Sequence, residues 1–251
     1  MNTELSKTFR YSAAVLLIIE FLLLFVPMII LGQAINWPAS LDEPASVNLP
    51  LILEQAPAVS TGYFVYMLYS VLILPVGLVI SKIVAGGRRQ ETLLMIASGF
   101  AIGSAVLRVL GIIRWLIPMP ILARVYVDPT TSEATRESVS VMYDMLNGYA
   151  GSVGEVLGVG FFAALWVGVT SFVIVRNGTL PRWLGYYGLA TAVALMAGLL
   201  EIAGVDIGIF ITVNVTMLHF WWLFIALIIV FRPQWVRTPQ STLTLQPAPA
   251  S

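Results

Sequence analysis

Apolar residues recur in six long runs, at residues 11–35, 62–85, 92–116, 148–175, 184–205 and 209–231, separated by short polar or proline-bearing breaks. Each is long enough to cross ~30 Å of hydrocarbon, which takes about 20 residues of helix. The pattern predicts an all-α fold: a six-helix transmembrane bundle forming one domain over residues 1–238. Pro118 and Pro120 end the third run, and Arg232-Pro233 closes the sixth. The fourth is expected to continue outward as a helix starting near Thr131, with Asp128 as its cap and Pro129 in its first turn. The first run contains Glu20 and Pro27 and is longer than the roughly 7–15 apolar residues of a signal peptide, so it is expected to persist as an uncleaved helix.

The connections set a direction. Lys7, Arg10, Lys82, Arg88, Arg89, Arg176, Arg182, Arg232 and Arg237 fall on one side, and only Arg124 and Arg136 fall in loops on the other. The positive-inside rule then places both termini in the cytoplasm. Residues 36–61 form an acidic outer segment (Asp42, Glu43, Glu54) with four prolines and an apolar patch at 49–53, expected to rest on the membrane surface. Residues 239–251, rich in Pro, Ser, Thr and Gln, are expected to be a disordered cytoplasmic tail.

Composition narrows the chemistry. The chain is 59% hydrophobic and only 10% charged, against roughly 25% charged residues in soluble domains. Its main partner is therefore expected to be the lipid bilayer. Zero net charge and the lack of a basic tract argue against nucleic acid. There is no Cys and one His, so thiolate metal sites, iron–sulfur clusters and a bis-His haem are excluded, and neither metal nor cofactor is expected. HExxH, P-loop, dinucleotide and GxSxG motifs are all missing.

Helical spacing gathers the remaining charges onto small-residue faces, where another helix can approach closely. Ala97, Ala101, Ser104, Ala105, Arg108 and Gly111 share one face of the third helix. Asp144, Gly148, Gly151, Glu155 and Gly158 do so on the fourth, and Ala190, Ala194, Ala197, Glu201 and Gly204 on the fifth. A guanidinium in hydrocarbon costs on the order of 3 kcal/mol by insertion scales and cannot shed its proton. Arg108 is therefore expected to pair with Glu155, Glu201 or both, near the outer third of the membrane. That core is either a staple fixing helix order or the lining of a cavity. Arg114, about 9 Å further out, is expected to snorkel or to meet Asp144 or Asp206. Tyr63, Tyr66 and Ser70 share a face of the second helix and are candidate lining of the same outer pocket, or an interfacial belt. Glu20 and His219, the latter on a face with Thr212 and Thr216, lie at mid-depth. They form a candidate proton relay, or a neutral carboxyl and a packed ring. The spacings Gly99/Gly103 and Gly154/Gly158 suit close packing within the chain or in a homo-oligomer.

Ala105-Val106-Leu107-Arg108-Val109-Leu110, the glycine-rich fourth helix and the stretch from Val175 through Asn177-Gly178-Thr179-Leu180-Pro181-Arg182-Trp183-Leu184-Gly185 resemble the bacterial membrane proteins grouped as domain of unknown function 4386. The resemblance covers roughly residues 90–200 and implies a bacterial inner-membrane location without supplying catalytic residues. The acidic segment 36–61 and Arg114 depart from it.

Three functions remain open. A non-enzymatic protein that binds or senses a small amphiphilic or anionic ligand predicts an outer pocket sealed on the cytoplasmic side. A proton- or ion-coupled carrier predicts polar faces joined through both halves of the membrane. An intramembrane enzyme predicts two acids, or His219 and an acid, in hydrogen-bond reach.

Overall fold

The computed structural model describes residues 5–86, 91–205 and 209–236, the last segment in its side chains from residue 213 onward. Arg88, Arg89, Asp206, the Thr212 side chain, Arg237 and the expected tail at 239–251 lie outside the described residues. The described residues are almost wholly helical, and six stretches are long and apolar enough to cross a membrane.

Helices α1 (Lys7–Leu23) and α2 (Phe25–Ile35) form the first span and break at Leu24. The cause is Pro27, which has no N–H to give to the Leu23 carbonyl. Residues 36–61, expected to be a loop, carry a 3₁₀ turn at Ala39–Asp42, then α3 (Ala45–Glu54), and run directly into α4 (Ala56–Val84), the second span. Leu49 and Ile52 of the apolar patch have 0% and 1% exposure. The inner face of the patch is thus buried against protein, while Leu53 is exposed.

Helix α5 (Thr92–Leu116) ends at Ile117, the residue before Pro118, whose φ −119 and ψ −73 depart from ideal helical values. The chain continues as α6 (Pro118–Val127), which packs on α3. Asp128 does not cap the next helix. It accepts from Thr130 N at 2.8 Å and Thr130 Oγ1 at 2.6 Å, in a turn beyond α6. These bonds hold its carboxyl below the usual carboxylate range. The cap of α7 (Glu133–Gly151) is Ser132, whose Oγ accepts from Thr135 N.

Helix α7 runs into a π-helix, Ser152–Phe162, and then α8 (Ala163–Asn177), a continuous rod of 45 residues. Gly178 closes it at φ 60, its N–H bonding the Ile174 carbonyl, and Arg176 pairs with Glu91 at 2.6 Å. Helix α9 (Arg182–Met196) tightens into 3₁₀ turns at Ala197–Ala203, and α10 (Ile209–Phe231) forms the last span.

Two apolar cores stack along the bundle. One joins α1, α4, α5, α8, α9 and α10 around Trp166, Trp221 and Trp222. The other lies at the end bearing α3, α6 and the start of α7, around Leu49, Trp115, Met119 and Tyr143. Asn48 ties this cap together by donating to the Ser40 carbonyl and to Tyr143 Oη, while Asn147 donates to the Leu41 carbonyl at 2.8 Å. A belt of exposed apolar residues, including Leu22, Ile29, Val71, Leu110, Phe172 and Val193, covers the outside of the spans.

Helices α5 and the π-helix cross at glycine. A Cβ on Gly111 would stand 2.6 Å from the Gly154 Cα and 2.9 Å from the Ala150 carbonyl oxygen. Backbone cannot yield there as a side chain can. Gly111→Ala should destabilise the protein by about 1–3 kcal/mol through overpacking. Gly99→Ala, where a Cβ meets nothing within 4 Å, should be neutral or slightly stabilising. Thermal melts of the two variants in a maltoside detergent check this; equal melting points would show that the crossing is not tight.

Candidate functional site

The glycine crossing places two arginines and a glutamate together. Ala97, Ala101, Ser104, Ala105, Arg108 and Gly111 are all buried along one face of α5. Gly158 lies against Arg108 itself, where a Cβ would stand 3.1 Å from the Arg108 nitrogen. With so little space between the backbones, the Arg108 side chain runs along α5 and its guanidinium, on a residue only 4% exposed, must be satisfied locally.

It is met by hydroxyls. Nε donates to Ser104 Oγ at 3.3 Å, and Ser104 Oγ in turn donates to the Gly158 carbonyl of the π-helix at 2.7 Å. Nη1 donates to Tyr69 Oη at 3.4 Å. Tyr69 Oη lies 2.9 Å from His219 Nε2, and His219 Nδ1 lies 2.6 Å from the Val215 carbonyl. A carbonyl only accepts, so Nδ1 carries the proton, and a neutral ring presents Nε2 as an acceptor. The chain is therefore directional: Arg108 to Tyr69 to His219 to the α10 backbone. Nη2 meets no hydrogen-bond partner among the described residues.

The expected pairing of Arg108 with Glu155 is corrected. Among the described ion pairs, Glu155 meets Arg114, Oε1 to Nη2 at 3.5 Å. Arg114 neither snorkels nor reaches Asp144. It is 5% exposed, folds back toward the start of its helix and donates from Nη1 to the Gly111 carbonyl at 2.9 Å. Glu155 moved relative to expectation because Ser152–Phe162 is π-helical. Each π turn holds an extra residue, so the stripe drawn from Asp144 through Glu155 at α spacing does not stay on one face. Asp144 and Gly148 are exposed.

Glu201 stands on a different helical geometry from the one expected. Past Met196 the helix is 3₁₀, and Glu201 does not line the cleft described below. The face of α9 that packs is Leu184, Gly185, Gly188, Thr191 and Leu195, one register away from the expected alanine stripe. At Gly188 a Cβ would collide with Ser171 Oγ, which explains why that face carries glycine.

Glu20 is fully buried, and neither carboxyl oxygen has a hydrogen-bond partner among the described residues. No direct hydrogen bond joins Glu20 to His219 among the described residues; His219 Nε2 is taken by Tyr69.

Above Arg108 a cleft of about 350 Å³, counted to its open mouth, runs toward the capped end of the bundle. Its lining includes Trp37, Leu41, Tyr63, Tyr66, Arg108, Arg114, Trp115 and Glu155. It is narrow, with room for about one or two waters. Tyr63 stacks flat on Trp115 at 5.0 Å, and Trp37 meets Tyr66 edge-on at 5.8 Å. Only 6% of the Arg114 side chain is accessible against 47% for Glu155, so the open half of this ion pair is the carboxylate. Tyr63 Oη and Arg114 Nε, both buried, have no partner among the described residues.

The structure therefore brings Tyr63, Tyr66, Arg108, Arg114 and Glu155 to one cleft and leaves out Ser70, Asp144 and Glu201. The Ser70 hydroxyl donates to the Tyr66 carbonyl within its own helix. Tyr69, Trp37 and Leu41 were missed. The three-residue spacing Tyr63, Tyr66, Tyr69 was a signal for the first; the other two depend on how residues 36–61 fold. Below Arg108, Tyr69 and His219 the way is packed by Ile73, Val76, Trp166, Trp221 and Trp222, all at 0% exposure.

Tyr69→Phe would leave both Arg108 Nη1 and His219 Nε2 without their partner, and each buried unsatisfied group costs about 1–3 kcal/mol. It should lower the melting temperature clearly. Tyr63→Phe, which removes a hydroxyl with no partner among the described residues, should leave it nearly unchanged. Parallel melts in detergent distinguish the two, and an equal response would dissolve the proposed network.

Residues 12–231 match the family model described as a domain of unknown function (DUF4386). No curated protein and no solved structure matches the chain.

Proposed function

Because the chain belongs to the DUF4386 family, whose description assigns no activity, we propose from the cleft itself that this multi-pass membrane protein binds the anionic group of a small amphiphile against Arg108. The observation that carries this is the unpartnered Arg108 Nη2 at the base of an aromatic-lined cleft. A buried guanidinium is normally satisfied on every donor, and one left open in a cavity marks a site for an acceptor. Tyr63 Oη and Arg114 Nε supply further free donors along the same cleft. The ring faces of Trp115 and Tyr66 give an alkyl chain an apolar wall.

The tryptophan-packed floor supports a binder or sensor over a carrier, since a coupled carrier needs its polar groups joined through both halves of the membrane. Intramembrane catalysis finds little support: Glu155 is engaged by Arg114, and His219 by Tyr69 and a backbone carbonyl. We take the cleft to open away from the cytoplasm of a bacterial inner membrane, following the distribution of Lys and Arg. Opening requires Trp37 and Leu41 to move, and they sit on the segment that Asn147 and Tyr143 tie to α7.

The test is titration of the full chain in maltoside micelles with octyl phosphate, followed calorimetrically and corrected for micelles alone. Arg108→Gln should weaken binding at least tenfold, and Arg108→Lys should retain part of it. Absence of heat with the wild type, or equal binding by Arg108→Gln at an unchanged melting temperature, would overturn the proposal.

A further inference from the structure

The cleft does not present cations alone. Arg114 is met by the Glu155 carboxylate at 3.5 Å, and the exposed Asp42 directly follows the lining residue Leu41. The cleft thus holds Arg108, Arg114 and Glu155, with a further acid next in sequence to its lining.

A purely anionic ligand fits this layout poorly. An anion drawn toward Arg114 competes with Glu155 for the same guanidinium, and the 3.5 Å pair is long compared with a good charge-assisted bond. Once displaced, the Glu155 carboxylate would lose its counter-charge while facing the bound anion, which is unfavourable. A ligand that brings its own cation removes the penalty. That cation would rest against Glu155, on the Asp42 side, with the Trp37 and Tyr66 rings nearby to stabilise it through their π faces.

We propose that the headgroup this cleft takes is zwitterionic: an oxyanion seated on Arg108 and an ammonium, one short linker away, seated against Glu155. This rests on the binding reading above and specifies its ligand. Two independent features point to it. Arg108 and Tyr63 are more than nine-tenths buried and offer unpartnered donors in the cleft, while Glu155 keeps 47% of its side chain open.

The experiment compares octyl phosphate, the octyl ester of phosphoethanolamine, octyltrimethylammonium and chainless O-phosphoethanolamine on the full chain in maltoside micelles. The wild type should bind the octyl zwitterion at least tenfold more tightly than octyl phosphate. Glu155→Gln, a change at a half-open side chain that the fold tolerates, should act in opposite directions: tighter octyl phosphate, because Arg114 is released, and weaker zwitterion. Asp42→Asn should weaken the zwitterion by a smaller factor. If octyl phosphate binds as well as the zwitterion and Glu155→Gln shifts both alike, the zwitterion proposal falls while the anion site stands. If neither binds, both fall, and if octyltrimethylammonium binds best, Arg108 is not the anchor and the proposal falls. Equal affinity for chainless phosphoethanolamine would support the zwitterionic site and show that the ligand is a soluble molecule instead of an amphiphile.

Discussion

The architecture depends on a guanidinium in the middle of an apolar bundle that is solvated by hydroxyl groups. Arg108 needs donors satisfied because it cannot become neutral. Ser104 and Tyr69 do this by relaying its hydrogen bonds to the Gly158 carbonyl and to His219. Each relay crosses to another helix, so one side chain fastens α5 to the π-helix, α4 and α10. The glycines at 111, 154 and 158 follow from this, because the hydroxyl relays are short and the backbones must come close for them to reach.

The π-helix is part of the same solution. A stretch rich in glycine has little side-chain packing to enforce α geometry. The Gly158 carbonyl accepts both the Ala163 N–H at the end of the π-helix and Ser104 Oγ, using its two lone pairs. The same register change turns Glu155 toward the cleft. It faces Arg114, and Arg108 Nη2 meets no hydrogen-bond partner among the described residues.

This explains what the sequence disclosed and what it withheld. The α5 face was readable because apolar and small residues keep a strict helical period from Ala97 to Gly111, with no local departure to spoil it. Six spans were readable from run length alone. Glu155 was assigned to the wrong arginine because it lies where the helix departs from 3.6 residues per turn, into π geometry; at Glu201 the helix departs into 3₁₀ geometry. The cap was hidden for a different reason. Proline at positions 38, 44, 50 and 57 suggests a loop, yet Pro44 and Pro57 stand at helix starts, where a missing N–H does no harm. Trp37 and Leu41 could reach the cleft only through that folded cap, so no periodicity in their own segment could reveal them.

The choice of arginine over lysine at position 108 follows from geometry. A guanidinium spreads five donors over a rigid plane, so Nε and Nη1 can be held by different helices while Nη2 remains directed elsewhere. An ammonium carries its three donors on one atom: held against Ser104 and Tyr69, its charge would centre between them, and the remaining N–H would not reach the cleft on a separate arm. It would also need stronger compensation, being more tightly hydrated when outside the protein. The planar fork lets one residue be structural on two of its nitrogens and open on the third. The staple and the cavity are therefore the two sides of one group.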